Sequence, residues 1–121
     1  MNNDFDEVTF INQLFRETIE NKIIWSLSYE IPSILHSRSE FTITSCYQSS
    51  TLPNGANFYL FSYRVPQYYG DHDTFYNVER IRLSLLRYNQ IAWQSQSDSS
   101  PMNNLYDYVS TQYSGISNIF G

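Results

Sequence analysis

Apolar and polar positions recur along this chain in two rhythms, and the change of rhythm marks its elements. From Asp4 to Lys22 the side chains Val8, Ile11, Leu14, Phe15 and Ile19, with Thr18, return every three or four residues. That spacing puts them on one face of an α-helix. Asp4 followed by Glu7 has the form of a capping box, in which side chains satisfy backbone N–H groups at the helix start. Asn21 suits the left-handed conformation that ends a helix, and Lys22 complements the negative end of its dipole. The rhythm then shortens to two. Ile23, Trp25, Leu27, Tyr29 and Ile31 alternate with Ile24, Ser26, Ser28 and Glu30 as far as Pro32. This is the pattern of an antiparallel strand with one buried face.

The period of two returns three more times. Phe41 to Tyr47 predicts a second strand, with Phe41, Ile43 and Tyr47 on one face and Thr42, Thr44 and Cys46 on the other. Leu52-Pro53-Asn54-Gly55 is a turn signal. Phe58 to Val65 predicts a third strand, apolar on both faces. Pro66 to Asn77 reads as a long loop, and loops of that length in compact domains are often functional. Val78 to Arg87 predicts a fourth strand with Ile81, Leu83 and Leu85 facing one way and Arg80, Arg82 and Ser84 the other. Asn89-Gln90 turns into a short fifth strand ending near Trp93. Ser100-Pro101 is a helix start, with Ser100 as the N-cap and Pro at the first helical position, where its missing N–H costs nothing. Met102, Leu105, Tyr106, Val109, Tyr113 and Ile116 then form a helical stripe ending near Gly115.

Each helix has one apolar face to bury. The expected fold is therefore α+β: one domain over residues 1–121, with an N-terminal helix, four or five antiparallel strands and a C-terminal helix. The simplest packing sets both helices on one sheet face and leaves the other open to water or a partner.

Composition narrows the function classes. The chain has 121 residues, a formal net charge of −5 and a single lysine, Lys22. Nucleic-acid backbones are bound by clustered cations, so this partner is not expected. The single cysteine, Cys46, cannot form an intramolecular disulfide, and the acidic start lacks the apolar core of a signal peptide. A cytoplasmic location and no membrane partner are expected.

The candidate chemistry lies mostly between Arg64 and Arg82. Asp71 and Asp73, with Asn77 and Glu79, are the densest set of hard oxygen ligands, and calcium is the cation they would suit. Phe75 stands where an EF-hand loop would place its third ligand, and the plain alternative is a solvated acidic turn. His36, His72 and Cys46 are too scattered for a zinc site or a nucleophile–base pair. Arg80 and Arg82 share a strand face, and Arg64 on the neighbouring strand is expected to join them. Three guanidinium groups on an open sheet would hold an anion, a nucleotide phosphate or an acidic partner. Eleven tyrosines, with abundant Ser, Asn and Gln, match the chemistry of adaptable recognition surfaces. Tyr68 and Tyr69 are the candidates nearest the loop.

The run Thr18-Ile19-Glu20-Asn21-Lys22-Ile23-Ile24-Trp25 joins a helix end to a strand start. It resembles the opening of many small bacterial and phage proteins with a helix–antiparallel sheet–helix order, and Ser100-Pro101 through Leu105-Tyr106 is similar to their ending. Those proteins usually have Gly where this chain has Asn21, and some of similar layout bind calcium. The likeness carries over no functional residue. The leading expectation is a non-enzymatic acidic module that binds another protein, of the inhibitor, immunity or antitoxin kind. It needs no cofactor; calcium on the acidic loop 70–79 and an anion or nucleotide on the Arg/Tyr sheet face are the rival ligands, and an exposed aromatic sheet would also allow a homodimer.

Overall fold

The computed structural model describes residues 6–36, 42–96 and 99–113. Helix α1 spans Glu7–Ile19 and helix α2 spans Ser100–Tyr113. Between them run strands β1 (Trp25–Leu27), β2 (Thr42–Ser49), β3 (Asn57–Tyr69), β4 (Thr74–Arg87) and β5 (Gln90–Gln94). The five strands form one antiparallel sheet in chain order, β1-β2-β3-β4-β5. The α+β architecture expected from the sequence is the one observed.

Helix α1 starts two residues later than the capping-box reading placed its cap. Asp6 is the N-cap, accepting from the Val8 and Thr9 amides at 3.1 and 3.3 Å and from the Thr9 hydroxyl at 2.7 Å. These bonds, that of the Thr9 hydroxyl above all, hold its carboxyl below the usual carboxylate range. Asp4 lies outside the described residues. At the other end Asn21 has φ +62°, and the Lys22 amide reaches back to the Glu17 carbonyl at 2.9 Å. This bend brings Trp25 under the helix, where its indole N–H donates to the Thr18 hydroxyl at 3.0 Å.

The first strand is shorter than the alternation predicted. Only Trp25, Ser26 and Leu27 pair with β2, and Tyr29 is 88% exposed. After Ser28 the chain leaves the sheet edge and crosses to the opposite face, where a short 3-10 turn, Ser33–His36, buries Leu35. The physical cause is the second apolar face of the sheet, which needs cover that neither helix provides.

Opposed residues in an antiparallel pair share a face. The register Leu60↔Leu83 and Phe58↔Leu85 puts these side chains on the face that carries the helices. There they pack with Ile11 and Leu14 of α1 and with Met102, Leu105 and Val109 of α2. The far face is not open, as expected, but holds a second core: Cys46, Tyr59, Phe61, Tyr63 and Leu86 with Leu35. The doubly apolar third strand is thus buried on both sides.

In β2 a bulge between Ile43 and Ser45 breaks the simple alternation. Ile43 therefore packs on the far face while Tyr47 packs under the helices. The expectation that they share a face fails because the extra residue inverts the side-chain sequence. Phe41 and the region of Gly115 lie outside the described residues.

Candidate interaction site on the long hairpin

The segment expected to be a loop, Pro66 to Asn77, is hairpin. Strands β3 and β4 pair without interruption from Asn57↔Leu86 to Tyr69↔Thr74. The connection is only the short 3-10 turn Gly70–His72 closed by Asp73. Pro66 and Gly70 gave the loop signal. Proline is tolerated in a strand where its missing N–H points out of the ladder, and Gly70 opens the turn itself. Asp73 takes the left-handed conformation, φ +50°, which Asp accepts more readily than most residues.

Beyond Val65 and Val78 every residue of this hairpin is exposed. Among the described residues the result is a two-stranded ribbon running past both cores with aromatic side chains on both faces. Tyr68 and Phe75 sit on the helix side, ring centroids 5.2 Å apart. Tyr69 and Tyr76 sit on the far side in an edge-on contact at 5.9 Å, and the His72 ring lies 4.6 Å from Tyr69. Exposures are 52% for Tyr68, 43% for Tyr69, 67% for Phe75 and 47% for Tyr76. The Tyr68 hydroxyl donates to the Asp73 carboxylate in a short bond that ties strand to turn and raises the phenol above its ordinary range.

The ribbon geometry separates the acidic candidates. Asp71 and Asp73 sit at the tip, but Asn77 and Glu79 lie down an extended strand. At about 3.3 Å per residue, Glu79 is roughly 20 Å from Asp73. The four are not brought round one point, and no group of three or more His, Cys, Asp or Glu side chains gathers among the described residues. Glu79 is instead held by Arg64 in an ion pair at 2.8 Å.

The arginine cluster is also divided. Arg64 lies opposite Glu79, and Arg80 opposite Tyr63. Arg64 therefore faces the helix side and Arg80 and Arg82 the far side, so the expected three-guanidinium surface does not form. The error was one of register: a neighbouring strand offset by one residue shows its other face. Arg82 lies over the Tyr63 ring at 4.9 Å and donates to its hydroxyl at 3.1 Å.

Other chemistry is spread out. Cys46 is buried opposite Phe61, and burial pushes its thiol up to about 11. His72, at the ribbon tip, is on the order of 25 Å further along the strands, so the two form no pair. Trp25 is core, as its strand position implied. Trp93 packs edge-on against Phe10 at 5.3 Å under α1. A hydroxyl cluster lies beside α2: Ser62 bonds Thr44 and Ser45 at 2.7 Å each, and Tyr106 bonds both Ser45 and Ser62.

From the sequence Phe75 counts only as a break in a calcium-loop pattern and Tyr76 only as one of the surplus tyrosines, and neither is assigned to the site. The available signal is two adjacent aromatic pairs, Tyr68-Tyr69 and Phe75-Tyr76, on either side of the turn, the second set one residue further from it by Thr74. Comparison with protein-family models, curated proteins and solved structures finds no match. Among the described residues no helix is long and apolar enough to cross a membrane.

Proposed function

We propose that this chain is a non-enzymatic binding module whose β3–β4 ribbon docks on another polypeptide, in the manner of a small regulator or inhibitor. The observation that supports it is the set of four aromatic rings, Tyr68, Tyr69, Phe75 and Tyr76, left exposed on a regular ribbon. An aromatic side chain buries about 150–250 Å² when covered, with few rotatable bonds to freeze. The ring contacts across the ribbon restrict those rotamers further, which lowers the entropy cost of docking. The β4 edge of the ribbon adds backbone donors and acceptors, as in binding by strand addition.

The test is affinity capture from a lysate of the source cell, with wild-type chain and a Phe75→Thr/Tyr76→Thr variant as baits. Threonine keeps the strand preference of the positions. The expected result is a set of proteins retained by the wild type and lost by the variant, at unchanged thermal midpoint. Equal retention by both baits, or loss of binding in step with loss of stability, would overturn the reading.

A further inference from the structure

Charge along the ribbon singles out a partner. Arg64, Arg80 and Arg82 lie at its base with Glu79, and Asp71 and Asp73 lie at its tip. The segment is formally neutral in a chain whose net charge is −5. It is also polarised, positive at the base and negative at the tip, over roughly 25 Å of strand. Two such ribbons laid antiparallel attract at both ends, whereas a parallel arrangement sets like charge on like. Local neutrality matters because two acidic chains repel elsewhere on their surfaces.

The edges of the ribbon differ. On β3, Pro66 removes a donor, and proline in a continuous ladder points its nitrogen outward. That spoils the outer edge of β3 for a further strand. Strand β4 has no proline, and among the described residues its stretch Thr74 to Arg80 pairs with no third strand, since β5 joins only at Ser84 to Arg87. An unblocked edge of this kind is a template for strand addition.

We propose that the ribbon's partner is a second copy of this chain, the two β4 edges pairing antiparallel about a two-fold axis near Tyr76 and Asn77. This deepens, and rests on, the reading of the ribbon as a binding element. Paired residues lie at equal distances from the axis. Arg80 and Arg82 of each copy therefore fall beside the Gly70–Asp73 turn of the other. Arg82 spends one N–H on Tyr63 and has others to offer, since a guanidinium carries five. The contact is self-complementary, as a two-fold interface must be. The four strands make one twisted sheet, with a Tyr76 ring from each copy close to the axis. Edge pairing of two ribbons covers less than the roughly 1,200 Å² of a standard interface, so the dimer is concentration-dependent.

Sedimentation velocity from micromolar to near-millimolar protein tests this, at low and high salt. The wild type is expected to shift from monomer to dimer with concentration and to weaken as salt screens the paired charges. Reversing the base (Arg80→Glu/Arg82→Glu) or the tip (Asp71→Arg/Asp73→Arg) should each raise the dimer dissociation constant by about tenfold or more. Mixing the two variants restores attraction at both ends, so an equimolar mixture should dimerise where neither variant alone does. That recovery also shows that both variants are folded. A wild type that stays monomeric throughout, or a dimer that survives both reversals, would overturn the proposal. If the wild type is monomeric and lysate capture still requires Phe75 and Tyr76, the dimer is wrong and the binding reading stands. If capture is also indifferent to the ribbon, both fail.

Discussion

Thr18 serves two buried partners with one hydroxyl, donating to the Leu14 carbonyl at 2.9 Å and accepting the Trp25 indole N–H at 3.0 Å. Both side chains are almost wholly buried. Thr18→Val keeps the shape but strands the indole N–H, which costs about 1–3 kcal/mol. Urea unfolding should report that loss, and an unchanged stability would show that the indole finds another acceptor. The helical spacing of Thr18 and the strand alternation of Trp25 were each readable. Their bond was not, because it depends on the angle at Asn21, where φ is +62°. Asp6 makes a similar point. The acid at the true helix start is the one whose carboxylate can reach the Val8 and Thr9 amides, and Asp4 and Asp6 look alike until the turn is built.

Among the elements, α2 is anchored by more than its apolar stripe. The Tyr106 hydroxyl bonds Ser45 and Ser62, and its ring meets Tyr47 edge-on at 6.0 Å. Tyr106→Phe keeps the ring and removes one partner from a cluster whose remaining hydroxyls can still bond one another. The expected cost is about 1 kcal/mol, seen as a lower denaturant midpoint with unchanged slope. A loss of several kcal/mol would mean that the cluster acts as one unit. The helices, the existence of the strands and the turn at Leu52 to Gly55 were legible because each is written in local spacing. The bulge in β2 and the length of the β3–β4 hairpin were not. Both depend on what the neighbouring strand offers, and Pro66 with Gly70 reads as a loop to any local rule.

At the scale of the molecule, one sheet separates two cores, and the far one contains titratable groups. Burial raises the Cys46 thiol to about 11 and also raises the Tyr59 phenol. A group whose pKa is raised on folding contributes stability that is complete below its unfolded value and is lost as pH climbs through the folded one. Stability should therefore hold at neutral pH and fall between about pH 9 and 11, by on the order of 2 kcal/mol from the thiol alone. Thermal melts across that range check the sign. Cys46→Ala should flatten the part of the slope due to the thiol. A native thiol this buried should also resist alkylation near pH 8 and react once the chain is unfolded.

Local spacing was enough for the element types, their order and the antiparallel sheet, because periods of 3.6 and 2 follow from backbone geometry alone. The sequence also marked the stretch from Arg64 to Arg82 as the place where chemistry gathers. What that stretch becomes depends on long-range pairing. Register set Arg64 on one face and Arg80 and Arg82 on the other, and an extended ribbon drew Asp73 away from Glu79. The same ribbon brought Phe75 to Tyr68 and Tyr76 to Tyr69. Registers and long-range pairings come from the whole sheet minimising exposed apolar surface and unpaired backbone at once, and no local window contains that sum.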